Sequence, residues 1–170
     1  MALPPSQALI IGYGNPLRSD DGFGWHAAHD LTTRLQDPNI EVLARQQLTP
    51  ELAETASHFQ LVIFIDAAVD LPPGKLRCEK ITQTKTSQQQ EASSFSHSLT
   101  PASLLACTAE LYGKFPEAYC ISVGGESFAE GESISPAMLV AFEPLLAQVR
   151  SLLARPRQSY HPEPSEGPIY

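Results

Sequence analysis

Short apolar runs alternate along this chain with segments in which apolar residues recur every three or four positions. Ala8 to Tyr13 reads Ala-Leu-Ile-Ile-Gly-Tyr, a buried strand that runs into the turn-forming Gly14-Asn15-Pro16. Phe23, Ala27, Leu31 and Leu35 then repeat every four residues, the stripe of an amphipathic helix. Ile40 to Leu43 predicts a second short strand. Thr49-Pro50-Glu51 predicts a helix start, with Thr49 as cap and Pro50 at the first helical position, where its missing N–H is not needed. Leu61 to Ile65 is the most strand-like run in the chain, β-branched and aromatic, and ends at Asp66.

Leu71 to Gly74 turns the chain, and Lys75 to Thr82 alternates as an edge strand does. Thr84 to Ser98 is polar throughout and reads as a mobile surface loop. Thr100-Pro101 opens a further helix with Leu104, Leu105, Thr108 and Leu111 on its buried side, stopped by Gly113. Ala118 to Val123 predicts another strand. Ser135-Pro136 starts a last helix with Leu139, Phe142, Leu145, Leu146, Val149 and Leu152 as its stripe. The order β-α-β-α-β-β-α-β-α implies an α/β fold: one three-layer domain over residues 1–154, with a twisted, mostly parallel five-stranded sheet and helices on both faces. Residues 155–170 form a Pro-rich tail expected to be disordered. In such open sheets, function gathers at the carboxyl ends of the strands.

Composition narrows the partners. Eleven Lys plus Arg against 19 Asp plus Glu give a formal net charge of -8, which argues against nucleic acid. Hydrophobic residues at 42% and charged residues at 18% are ordinary for a globular domain. Cys78, Cys107 and Cys120 lie far apart without metal-ligand spacing, so buried free thiols are expected rather than a zinc site or disulfides. No secretory signal is indicated, and no apolar run reads as a membrane span; a cytoplasmic, monomeric protein is the expectation.

Two strands end in carboxylate-bearing turns, one at Asp20-Asp21 and one at Asp66. If both strands are central and parallel, Asp21 and Asp66 share a rim, and His97 precedes a helix that could bring it there. Two carboxylates and an imidazole suit a divalent transition metal with open positions. Each residue also has a plainer reading. Asp20 or Asp21 could cap the helix near Gly22, which residue type alone favours; Asp66 could bond turn N–H groups, and His97 could be solvated. His26, His29, His58 and His161 are assigned to no site. Gly12-x-Gly14 after a strand hints at phosphate binding, but lacks the third glycine of a dinucleotide loop, and Pro16 removes a donor. No Gly-x-Ser-x-Gly elbow occurs.

The run Gly12-Tyr13-Gly14-Asn15-Pro16-Leu17-Arg18-Ser19-Asp20-Asp21-Gly22-Phe23-Gly24 resembles the N-terminal signature of the hydrogenase maturation proteases, Gly-x-Gly-Asn-x-Leu-x-x-Asp-Asp/Glu-x-x-Gly. The resemblance continues at Val62 to Ala67, through Ser96-His97 to Leu104, and at the Ser135-Pro136 helix, covering Ala8 to Arg150. It implies a nickel-dependent, aspartic-type endopeptidase that removes the C-terminal extension of a NiFe-hydrogenase large-subunit precursor. By the same resemblance Asp21, Asp66 and His97 contact nickel, which the bound precursor supplies rather than the protease holding it. Asp21 and Asp66 are the implied catalytic groups. Asn15 belongs to the turn presenting Asp21 and, with Gln46 and Gln47, is assigned to substrate binding.

One departure concerns the segment after the second strand. Many members place an Asp-Gly or His-Gly pair there, and this chain reads Arg45-Gln46-Gln47-Leu48-Thr49-Pro50-Glu51-Leu52. The latter part is similar to the branch serving bidirectional, NAD(P)-linked hydrogenases. Gln46 or Gln47 stands where the acid or histidine would be, which shifts that position toward substrate choice. Two alternatives stay open: a non-catalytic metallochaperone or precursor-binding module on the same fold, and a phosphate- or nucleotide-binding protein using the first glycine turn.

Overall fold

The computed structural model describes residues 7–83 and 99–156. His97, the rest of the polar segment 84–98, and the tail from residue 157 lie outside the described residues. Five strands form one sheet: β1 (Ala8–Tyr13), β2 (Ile40–Arg45), β3 (Leu61–Ala68), β4 (Leu76–Ile81) and β5 (Glu117–Gly124), in the order β2-β1-β3-β5-β4. All pairings are parallel except β4 with β5. The helices are α1 (Phe23–Arg34), α2 (Leu52–Ser57), α3 (Pro101–Tyr112), α4 (Pro136–Val140) and α5 (Phe142–Ala154).

Strand alternation sorts the core into two halves, one on each face of the sheet. Ala8, Ile10, Leu61, Ile63, Ile65 and Ile121 face α1, α4 and α5, which contribute Phe23, Leu31, Met138, Leu145 and Val149. Leu9, Ile11, Val62, Phe64 and Ala118 face α2 and α3, which contribute Leu52, Ala56, Leu104 and Leu105. The expected three-layer α/β architecture is therefore present. Because β1 and β3 are covered on both faces, their sequences read as continuous apolar runs instead of alternating ones.

Several local expectations need correction. β3 does not end at Asp66 but continues to Ala68, so Asp66 lies within the strand, in register with Ser122. The long C-terminal helix is two helices broken at Ala141. Pro144 explains the break, since a proline ring clashes with the carbonyl four residues earlier, here that of Val140. The broken phase buries Met138 and leaves Leu139 exposed, and Leu111 of α3 is likewise exposed. Helix α2 starts at Leu52 with Glu51 as its cap position and no side-chain cap, although Leu52 N–H still bonds to the Thr49 carbonyl at 3.1 Å. Thr100 does cap α3, accepting the Ser103 N–H at 3.1 Å, and Gly113 ends it in the left-handed conformation at φ 68°. The cysteines are free, but Cys78 is exposed and the other two only partly buried.

Contrary to the expectation of no apolar span, the stretch Pro136–Ala154 has the length and mean hydropathy, 1.4, of a membrane-crossing helix. Its apolar side packs on the sheet through Met138, Leu145, Leu146, Val149 and Leu152.

Helix α1 crosses β1 so closely that two glycines are required. A Cβ on Gly24 would collide with the Ile65 carbonyl and the Tyr13 backbone, and one on Gly12 would strike the Gly24 carbonyl. Backbone atoms cannot swing aside as a side chain can. Gly24→Ala is expected to destabilise the fold by about 3 kcal/mol or more. Urea unfolding checks this, and an unchanged midpoint would show that the crossing has slack.

Candidate active site

The cleft lies at the carboxyl ends of β1, β2 and β3, where an open parallel sheet is expected to place its site. Its volume is about 190 Å³, and Asp21, Asp66, Tyr13, Gln46, Gln47 and Leu99 are among its lining residues. Parity explains part of this grouping. Tyr13 packs with Leu9 and Ile11 against the α2/α3 side, and Asp66 follows Val62 and Phe64 on the same face of β3. Since β1 and β3 are neighbours with Gly12 opposite Ile65, the two side chains meet at the top of that face. The Tyr13 hydroxyl donates to Asp66 Oδ2 at 2.9 Å.

Asp66 has further neighbours from β5. Ser122, its register partner, hydrogen-bonds to the carboxylate, and the Cys120 thiol stands 3.9 Å from Oδ1. Burial pushes the Asp66 carboxyl above its usual range. The hydrogen bonds from Ser122 and Tyr13, and the charge of Arg77 on β4, offset that only in part. Burial, then the Asp66 charge, pushes the Tyr13 phenol well up as well, and the Cys120 thiol is pushed up to about 12 for the same two reasons. Both therefore stay protonated at neutral pH, as a donor and an unreactive thiol respectively.

The two adjacent acids of the first turn have different positions. Asp20 is fully buried and Asp21 lines the cleft. Asp20 Oδ2 accepts the N–H groups of Glu126 at 2.8 Å and Ser127 at 3.2 Å, together with the Ser135 hydroxyl at 2.8 Å; Oδ1 accepts the Ser135 N–H at 2.8 Å. Burial raises its pKa, but these four bonds outweigh it and hold the carboxyl below its usual value. Asp20 thus clasps the loop after β5 to the loop after β1. Neither acid caps α1, whose first turn has no side-chain cap.

Asp21 Oδ2 accepts the Asn15 N–H at 3.0 Å. Asn15 Oδ1 in turn accepts the Leu17 N–H at 2.9 Å, an Asx turn that sets the shape of the loop. Gly14 sits at φ 148°, and a Cβ there would strike the Asp21 carbonyl, so glycine permits the loop to fold back on itself. Gly14 N–H bonds to the Arg45 carbonyl at 3.1 Å. The amides of Gly14, Asn15 and Leu17 are consequently occupied, and a carboxylate faces the space a phosphate would need. This removes the physical basis of the phosphate-binding alternative.

The structure brings together Asp21, Asp66, Gln46 and Gln47, engages the Asn15 side chain in the turn itself, and says nothing of His97. No described residue lining the cleft is a lysine or arginine. A carboxylate raised by burial, as Asp66 is, favours either a proton or a cation beside it. Carboxylate oxygens with open positions beside them fit a divalent transition metal. Among the described residues no group of three His, Cys, Asp or Glu side chains comes together, so further ligands would have to come from elsewhere. Sequence reasoning missed Tyr13, Cys120 and Ser122. The period-two pattern carried the signal for each, but it becomes readable only once strand order and register are known.

The fold is that of several solved proteins. A hydrogenase 2 maturation peptidase from a Thaumarchaeota archaeon superposes with a TM-score of 0.66 at 21% identity, over 87% of this chain and 98% of that one. The NiFe hydrogenase maturation protease HycI from Thermococcus kodakarensis gives 0.70 at 22%, over 88% and 94%. The hydrogenase maturating endopeptidase HybD from E. coli gives 0.69 at 22%, over 86% and 91%. No protein-family model and no curated protein sequence matches the chain.

The contrast between Asp20 and Asp66 gives a paired prediction. Asp66 has a raised pKa in the fold, so its ionisation costs stability as pH rises from the unfolded value through the folded one. Asp66→Asn should therefore raise the melting temperature at pH 7, with the gain fading as pH falls to about 4. Asp20 has a lowered pKa, and its stabilisation is present above the unfolded value and lost as pH falls through the folded one. Asp20→Asn, which sets an NH₂ against N–H donors, should cost about 2–4 kcal/mol at pH 7. Thermal unfolding of both variants across pH 4–7 checks the two signs; changes of the same sign would contradict this division.

Proposed function

We propose that this chain is a peptide hydrolase of the hydrogenase maturation type, which removes the C-terminal extension from a NiFe-hydrogenase large-subunit precursor already carrying nickel. The observation that carries the reading is the meeting of Asp21 and Asp66 in one cleft, from parts of the chain far apart in sequence. The shared fold with maturation peptidases and the Gly12 to Gly24 signature support it.

In this reading nickel is part of the substrate and enters with the precursor. Asp21 and Asp66 complete its coordination together with His97. Leu99 lines the cleft, and His97 is two residues away along the chain, a reach of at most about 7 Å between Cα atoms. Affinity then depends on whether the precursor is loaded, which delays an irreversible cut until the metal is in place. Asp66 is suited to take a proton from the attacking water. Its carboxyl is raised by burial toward the working pH, and a general base is most effective there. Gln46 and Gln47, at the mouth beyond β2, contact the polypeptide and bear on which precursor is accepted, including one from a bidirectional hydrogenase. Asn15 contributes through the turn that carries Asp21.

Incubation of the protein with nickel-loaded and nickel-free large-subunit precursor, read by mass spectrometry, tests the proposal. Loss of a single C-terminal peptide is expected in the loaded sample only. Asp21→Asn and Asp66→Asn should each slow it by about 100-fold or more, and His97→Ala should abolish it with the fold intact. A stable complex with the loaded precursor and no cleavage would instead place the chain among non-catalytic metallochaperones, the reading that the glutamines at 46 and 47 favour.

A further inference from the structure

We infer that Tyr13 is the positioning residue of this site, aiming the Asp66 carboxylate into the cleft through the hydrogen bond from its hydroxyl. The inference deepens the preceding reading and rests on it for its functional meaning.

Position is the first argument. Tyr13 is the last residue of β1 and Asp66 lies on the adjacent strand β3, on the same face, so the contact spans the seam between the two strands that bring Asp21 and Asp66 together. Geometry is the second. The hydroxyl reaches Oδ2 at 2.9 Å, within the ordinary range of an O–H···O hydrogen bond. Rigidity is the third. The phenol ring is packed into the α2/α3 half of the core, and with two side-chain torsions it loses little freedom in holding this direction.

The remaining neighbours of Asp66 come from the β5 side. The Cys120 thiol is a weak donor at 3.9 Å, and the Ser122 hydroxyl bonds to the carboxylate from β5. Without Tyr13 the carboxylate would keep contacts on the β5 side and lose the one on the β1 side, where the cleft and Asp21 lie. Partners that orient metal-binding or reacting carboxylates typically alter affinity or rate by about 10–100-fold when removed.

Tyr13→Phe removes one oxygen and keeps the ring. Crystal structures of both proteins should show Asp66 in one side-chain conformation in the wild type, and turned or divided between two in the variant. Titration calorimetry with Ni²⁺ alone should show about tenfold weaker binding in the variant. With nickel-loaded precursor, kcat/KM should fall about tenfold, and Tyr13→Phe added to Asp66→Asn should cause no further loss. An Asp66 conformation identical in the two structures, with Ni²⁺ affinity retained, would overturn the inference. If the wild type cuts no precursor, the function proposed above fails, while the conformation of Asp66 and the Ni²⁺ titration still decide the role of Tyr13.

Discussion

Everything in the cleft depends on the parallel pairing of β1 with β3 at the centre of the sheet. Parallel strands end on the same side, so the turn after β1 and the end of β3 come together although more than forty residues separate Asp21 from Asp66. The pairing is tolerated because both strands are apolar on both faces and lie between two layers of helices. Helix α1 reinforces it: Gly24 rests on the backbones of Tyr13 and Ile65, and so touches both strands at their ends. A side chain at that point would push the helix from the seam on which the site is built.

The two consecutive acids of the first turn illustrate how neighbours in sequence acquire unrelated roles. The Asp20 carboxylate is turned inward and meets four donors from a loop more than a hundred residues later. Burial of a charge on that scale is possible because the donors replace the water it loses. With Asp20 fixed, its neighbour Asp21 is directed toward the cleft, where the Asn15 amide holds one oxygen. Ser19, at φ 51°, takes the strain of the reversal, and its hydroxyl bonds to the Ala129 carbonyl at 2.8 Å. The buried acid thus organises the loop that presents the one lining the cleft.

Burial and polarity are balanced differently around Asp66. Its surroundings include a phenol, a thiol and a serine hydroxyl, enough to keep the charge tolerable and too few to make it comfortable. A carboxylate in this condition favours either a proton or a cation. That preference is what a group meant to accept a proton from water, or to share in binding a metal, requires. The carboxyls of Asp66 and Asp20 are accordingly pushed in opposite directions from their usual values.

The sequence by itself determined the layer order of the fold, the core of each strand, the caps of α3, and the placing of two carboxylates at one rim of the sheet. These follow from periodicity, turn chemistry and the long Gly12 to Gly24 signature, all local properties of the chain. It did not determine that β3 runs on past Asp66, because an acid after an apolar run looks like a strand end until its pairing with Ser122 is seen. Nor did it separate Asp20 from Asp21, since the donors that bury Asp20 come from residues 126–135. The stripe of the last helix was misjudged at Leu139, because the effect of Pro144 is a phase shift one turn earlier. Tyr13 lay unremarked between two signature glycines. Only the register of β1 against β3 brings its hydroxyl to Asp66, and register is a property of strands paired in space, which no stretch of sequence contains.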